Sequence, residues 1–142
     1  MHCNTNWRQI LLRGGGSIYN ICLDDQSFSK KPSKHEVAEI SQRIASMPQT
    51  ISLADLAIKL TEGHTFSPAQ FCSPLRNNEN WCRQQLFGLD FDGELRFGQV
   101  LERCDQYGIR PGFAYSTFSS VKDNKFRVVF VMGNEIEDAR LR

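Results

Sequence analysis

Residues 84–92 read QQLFGLDFD, and this alternation of apolar and polar side chains predicts a strand. Alternate residues from Phe87 to Phe91 share one face of that strand, while Asp90 and Asp92 share the opposite face. Carboxylates two residues apart on a strand lie roughly 7 Å from each other. Two divalent metal ions can bind such a pair and align an attacking oxygen with a leaving phosphate. The stretch therefore predicts both a core strand and a candidate metal site.

The sequence that follows predicts a helix and two further strands. Strand, helix and strand at this spacing predict a right-handed βαβ unit with parallel strands. Asp90 would then lie at the carboxyl end of the first strand, where open α/β sheets bind ligands. An antiparallel strand would return beside this unit. The predicted elements are a helical stripe from Phe97 to Tyr107 that ends at Gly108, a strand over 113–118 and the return strand over 125–132.

Two capped helices are predicted before this unit. Ser33 with Glu36 forms a capping box ahead of apolar residues that recur at helical spacing until Met47 and Pro48. Ser52 with Asp55 resembles a second cap, before a helix that stops at Gly63. Together with the predicted strands, these helices indicate an α+β fold.

Length and composition indicate one domain. The chain has 142 residues, of which 40% are hydrophobic, and this suits a single buried core. The glycine-rich segment 13–17 is typical of a flexible linker. We therefore expect a flexible tail over 1–16 and a single domain over 17–142, which begins with a strand at 18–23.

Charge, hydropathy and cysteine content exclude several classes of protein. Seventeen Lys and Arg against sixteen Asp and Glu give a net charge of +1, so any nucleic-acid site must be local. The sequence has neither a membrane-span pattern nor a signal-peptide pattern, so we expect a cytoplasmic protein without a membrane partner. Five cysteines without a CxxC pair predict buried or free thiols rather than a disulfide framework. His64, Cys72 and Cys82 fit no common zinc spacing.

Cationic and hydroxyl side chains that follow Asp90 in the sequence are suited to binding phosphate. Lys125 and Arg127 share one face of the return strand, and we expect them to bind a triphosphate beside Asp90. Ser119 and Ser120, in the preceding loop, offer hydroxyls and backbone N–H groups for the same purpose. A solvated edge strand with an ordinary turn explains the same residues.

Arg76 and Arg83, near Phe71 and Trp81, form a candidate nucleic-acid surface. Such side chains bind single strands through charge and base stacking. A core aromatic pair with exposed arginines explains these residues equally well, so both interpretations stay open.

Three stretches carry a family resemblance: GHTFSPAQF at 63–71, WCRQQLFGLDFDG at 81–93 and FAYSTFSSVKDNKFRVVF at 113–130. Together they resemble the archaeo-eukaryotic primase superfamily, in particular the primase-polymerase domains of replication proteins from phages, plasmids and other bacterial mobile elements. The resemblance implies a core like the RNA-recognition fold, with Asp90 and Asp92 as catalytic ligands of Mg²⁺ or Mn²⁺. It also implies nucleoside triphosphates, a single-stranded DNA template and a helicase domain or protein as partners.

Two parts of that family's pattern are not matched. The second family motif is a small residue, any residue and then His, whereas the loop here ends with Ser119 and Ser120. The third motif supplies another acidic ligand from a later strand, and only Glu135, Glu137 and Asp138 follow here. We therefore expect this chain to be either a fragment of a larger replication protein or a domain with an incomplete site.

Three other interpretations remain. A noncatalytic nucleic-acid-binding or interaction module would keep a degenerate primase-like core. The sequence also resembles haloacid-dehalogenase-like phosphatases, in which Asp90 would attack phosphorus and Asp92 would act as acid and base, although Glu94 replaces that family's Thr. The two aspartates would otherwise only end a strand and cap a helix. We also expect that replacing Asp90 and Asp92 by Asn raises the melting temperature without metal, because the like charges no longer repel.

Overall fold

The computed structural model describes residues 10–11, 16–118 and 124–142. Within these ranges the chain forms two antiparallel sheets and three helices, which confirms the predicted α+β class. None of these helices has the length and hydropathy that crossing a membrane requires. The elements are β1 (Ile10–Leu11), β2 (Ile18–Ser27), α1 (Lys34–Arg43), β3 (Pro48–Ser52), α2 (Leu53–Thr61), β4 (His64–Ser67), β5 (Ala69–Phe71), β6 (Trp81–Asp92), α3 (Phe97–Gln106), β7 (Pro111–Ser116) and β8 (Lys125–Ile136).

Local signals fix the starts of α1 and α2 and the end of α2 as predicted, whereas α1 ends at Arg43, before the predicted Met47 and Pro48. The Ser33 hydroxyl accepts from the Glu36 amide at 3.3 Å, and the Glu36 carboxylate accepts from the Ser33 amide at 2.6 Å. The Ser52 hydroxyl accepts from the Asp55 amide at 3.1 Å. Gly63 follows α2 with a φ of 93°, and a Cβ there would lie 2.0 Å from a backbone carbonyl oxygen. This turn therefore requires glycine.

The large sheet has the order β1-β7-β8-β6-β5, and the small sheet has the order β3-β2-β4. Both β6 and β7 pair antiparallel with β8, so they run parallel to each other without being neighbours. The two strands of the predicted βαβ unit are therefore parallel, as expected, but they are not neighbours in the sheet. Asp90 lies near the carboxyl end of β6, as predicted, but its neighbour there is the antiparallel strand β8 rather than a parallel strand. Side-chain periodicity defines strands but not their order in the sheet.

The large sheet buries apolar side chains on both faces. On one face, α3 packs Val100 and Cys104 against Phe126 and Val128. Tyr107, which the helical stripe placed on that buried side, is 78% exposed. The other face packs against α2 and the small sheet. That second core comprises Tyr19, Ile21, Leu23, Leu53, Leu56, Ala57, Leu60, Phe66, Leu86, Phe113 and Val129.

Behind the small sheet, α1 packs against β2. Ile40 and Ile44 bury Cys22 on this face. Next to them Asp24 is fully buried, and it accepts from Nε and Nη2 of Arg43, both at 2.7 Å. A buried carboxylate needs such compensation, so this pair attaches the helix to the strand.

A disulfide joins Cys72 to Cys82 across the loop between β5 and β6. The prediction of buried or free thiols alone is therefore wrong for this pair, although Cys22 and Cys104 are free and buried. An odd number of cysteines excludes complete pairing but not a single bond. Disulfides are typical of oxidising compartments, so this bond runs counter to the expected cytoplasmic location.

Part of the predicted flexible tail belongs to the large sheet. Ile10–Leu11 pairs antiparallel with β7, opposite Ala114 and Phe113. The remainder of the predicted tail before residue 16 lies outside the described residues.

Candidate functional site

Two cross-strand ion pairs form on one face of the large sheet. Asp90 lies opposite Arg127, and Asp92 lies opposite Lys125. Arg127 donates from Nε to one carboxylate oxygen of Asp90 at 2.6 Å and from Nη2 to the other at 2.8 Å. Lys125 Nζ lies 3.3 Å from Asp92 Oδ1. The structure thus places both predicted cations beside both predicted acids.

These pairs change the electrostatics expected for the two aspartates. The Arg127 guanidinium holds the pKa of Asp90 below its usual range, chiefly through the two hydrogen bonds. Each carboxylate has its own cation, so their mutual repulsion is offset. The expected stabilisation on replacing both by Asn therefore does not follow from this geometry.

Gly88 provides room for Arg127. It lies two residues before Asp90 on β6, and a Cβ there would lie 3.1 Å from Cδ of Arg127. The arginine side chain therefore crosses the strand over this glycine to reach Asp90. Sequence reasoning placed Gly88 only on the polar face, although a glycine inside a strand often marks such a close approach.

Tyr115 is a site residue that sequence reasoning missed. Nη1 of Arg127 donates to the Tyr115 hydroxyl oxygen at 3.3 Å, so one guanidinium connects β6, β8 and β7. Burial raises the pKa of Tyr115 above its usual value. The sequence feature that could have identified Tyr115 is its position two residues after Phe113. Alternate residues of a strand share a face, and this face packs against the small sheet.

The acidic pair fits the kind of site that Mg²⁺ occupies beside phosphates. Such ions often keep several waters and bind through one or two carboxylates plus substrate phosphates. The side chains of Asp90 and Asp92 are 60% and 70% exposed, so both can be reached. Among the described residues, no group of three or more His, Cys, Asp or Glu side chains is arranged to hold a metal ion. Glu135, one of the acids that follow the two aspartates in the sequence, accepts from the side-chain amide of Asn20 near the other end of β8.

The predicted phosphate loop is only partly described. Ser119 and Ser120 lie outside the described residues. Immediately before them, the Thr117 amide donates to the Lys125 carbonyl at 3.1 Å, which brings the ends of β7 and β8 together. The hairpin therefore begins beside the two ion pairs.

The structure does not bring Arg76 and Arg83 into one cavity. Arg76 lines a cavity of about 400 Å³ together with Phe71 and Trp81. Arg83 does not line it and instead lies with Nη1 3.4 Å from Oε1 of Glu135. Trp81 is 8% exposed and belongs mainly to the interior.

Comparisons with known proteins do not assign a family. The chain matches no protein-family model, no curated protein and no solved structure. The resemblance to primase-polymerases therefore depends on the motif residues, and the function must be argued from the site.

Proposed function

We propose that this chain is a primase-polymerase-type nucleotidyltransferase domain that binds a metal-bound nucleoside triphosphate at Asp90, Asp92, Lys125 and Arg127. The observation that carries the proposal is the presence of both signs of charge side by side on one sheet face. Phosphate alone is repelled by carboxylates, and metal alone is repelled by cations. A metal-bound triphosphate carries both charges, so it is the ligand class that this face fits best.

Each side chain has a distinct role in this proposal. Asp90 and Asp92 would hold Mg²⁺ or Mn²⁺, which when bound neutralises phosphate charge and aligns the attacking and leaving oxygens. Arg127 and Lys125 would exchange a carboxylate partner for triphosphate oxygens, the arginine through its planar fork of donors. Exposed ion pairs contribute only about 0.2–1 kcal/mol, so this exchange meets little resistance.

The topology supports the finer fold assignment, a core like the RNA-recognition fold. A strand-helix-strand unit with another strand between its two strands is the split βαβ arrangement. The helix α3 covers one sheet face, and the charged ends of β6 and β8 lie on the other. A single-stranded DNA template and a helicase partner in the replication of a mobile element complete the proposal.

A second candidate is a noncatalytic module that binds single-stranded nucleic acid. The described residues supply two acidic ligands at the site, and Arg76 lies with aromatic side chains in a separate cavity. This function predicts an affinity for single-stranded DNA that falls steeply with salt and does not need the aspartates.

Primer synthesis on a single-stranded template, with labelled nucleotides and Mn²⁺, tests the proposal. We expect product from the wild type and none from Asp90→Asn/Asp92→Asn. The matched control is Asp25→Asn/Asp105→Asn, which removes two exposed carboxylates elsewhere and should leave synthesis unchanged. Equal product from the wild type and Asp90→Asn/Asp92→Asn would refute the catalytic assignment. Salt-sensitive DNA binding by both proteins without synthesis would favour the binding module.

A further inference from the structure

A cavity of about 180 Å³ lies between the two sheets, next to Arg127. Its wall comes from Leu60 of α2, residues 64–66 of β4, residues 115–118 and Arg127. Pockets for complete small-molecule ligands usually measure about 300–1,000 Å³. This cavity therefore suits one chemical group of a ligand rather than a whole nucleotide.

The lining of this cavity favours an anion. Arg127, which Asp90 pairs on its other side, contributes a positive charge, and no Asp or Glu is among the described lining residues. The described lining residues also include Thr65, Tyr115, Ser116 and Thr117, of which the Tyr115 hydroxyl contacts Arg127. Hydroxyls and a guanidinium together are typical partners of phosphate oxygens.

The Tyr115 hydroxyl can donate a hydrogen bond to a ligand. Its oxygen accepts from Arg127, and among the described residues its hydrogen has no acceptor. Burial raises the pKa of this phenol, so the hydrogen is present at neutral pH. A ligand oxygen in the cavity would therefore receive one bond from the hydroxyl while it faces the arginine.

His64 completes the wall opposite Tyr115 and Arg127, from the small sheet. Its Nδ1 lies 2.8 Å from the Asp24 carbonyl oxygen, and a carbonyl only accepts, so Nδ1 carries a hydrogen. This bond fixes the ring, and Nε2 of the neutral ring then carries the lone pair and accepts hydrogen bonds. Oε2 of Glu62 lies 3.8 Å from Nε2, which is beyond hydrogen-bond distance.

We propose that this cavity binds a monoprotonated phosphate group, to which Arg127 and Tyr115 donate and whose own hydroxyl donates to Nε2 of His64. Arg127 would then connect two sites, because its other donors face Asp90 on the neighbouring strand. The identification of that group as a phosphate of the nucleotide substrate rests on the proposed function. The phosphate chemistry itself rests only on the lining of the cavity.

Calorimetric titration with inorganic pyrophosphate, in buffer with EDTA and no divalent metal, tests the cavity directly. We expect saturable binding to the wild type, weakened about tenfold in Tyr115→Phe and in His64→Asn, since each loses one bond to a charged ligand. Asparagine places an amide nitrogen near the position of Nδ1, so it can keep the bond to Asp24. Tyr107→Phe and His35→Asn, which change exposed residues outside the cavity, are matched controls and should bind like the wild type.

The outcomes separate this inference from the proposed function. Asp92→Asn removes a metal ligand but no lining residue, so it should abolish primer synthesis and keep pyrophosphate binding. No binding to the wild type, or equal binding by Tyr115→Phe and His64→Asn, would overturn the cavity assignment even if synthesis occurs. Binding with the expected losses but no synthesis would support the cavity and overturn the nucleotidyltransferase. Tighter binding of a deoxynucleoside triphosphate than of pyrophosphate, lost in both variants, would identify a nucleotide as the source.

Discussion

Two of the bidentate aspartate–arginine pairs among the described residues lie in opposite surroundings. Asp24 and Arg43 meet at 2.7 and 2.7 Å, and Asp90 and Arg127 meet at 2.6 and 2.8 Å. The carboxylate side chain is 0% exposed in the first pair and 60% exposed in the second. Because the geometry is the same, the difference in behaviour must come from the surroundings. Among the described residues, Arg43 is the one ion-pair partner of the buried acid, whereas the exposed acid can exchange its partner for water or a ligand.

The difference assigns separate roles to the two arginines. Arg43 lies at the end of α1 and attaches that helix to β2, so its bond is structural. Arg127 lies over Gly88 on a sheet face and has donors directed at both Asp90 and Tyr115. Under the proposed function, Arg127 would turn these donors to a phosphate while the strand that carries it stays folded.

The largest expected effect comes from breaking the buried pair. Arg43→Met keeps an apolar chain of similar length but leaves the Asp24 carboxylate buried without its cation. We expect the free energy of unfolding to fall by about 3–5 kcal/mol, measured by urea denaturation. Asp24→Asn/Arg43→Met, which also removes the unpaired negative charge of Asp24, should recover part of that loss. A loss below about 1 kcal/mol for the single variant would show that the pair behaves like a surface ion pair.

Sequence reasoning succeeded where a signal is local. The Ser33 and Ser52 caps, and the glycine at the end of α2, depend on hydrogen bonds and backbone angles within a few residues. The strand period from 84 to 92 likewise placed Asp90 and Asp92 on one face. Each of these features is decided by neighbours in the sequence, so the residues themselves contain the information.

Features that depend on distant partners were missed. The position of β8 between β6 and β7 is set by which hydrophobic faces meet, and periodicity does not encode it. The Asp24 pair joins residues that are 19 apart, and the bond between Arg127 and Tyr115 joins two neighbouring strands. The short strand β3 begins at Pro48, which sequence reasoning took as the end of a helix, although proline is tolerated as the first residue of a strand.

An intermediate effect comes from breaking the exposed pair. Asp90→Asn should lower the free energy of unfolding by about 1 kcal/mol or less at neutral pH, because water replaces much of the lost interaction. Arg127 lowers the pKa of Asp90 in the folded state, so this contribution is complete above the ordinary aspartate pKa of 3.8. It is lost as the pH falls through the lowered folded-state pKa. Urea denaturation of both proteins across this range should show their difference shrinking with acid, and a difference that stays constant would contradict the assigned cause.

The smallest effect on stability, and the sharpest test of the exposed pair, comes from Gly88→Ala. A strand favours alanine over glycine, but the new Cβ would lie 3.1 Å from Cδ of Arg127, so we expect the net change to stay within about 0.5 kcal/mol. Gly133→Ala, on β8 with open space around its Cβ, is the matched control. The Asp90 pKa, followed by NMR of its carboxyl carbon, should rise toward its ordinary value in Gly88→Ala and stay unchanged in Gly133→Ala, because only the first displaces the guanidinium. An unchanged Asp90 pKa in both variants would mean that Arg127 reaches its partner without the space above Gly88.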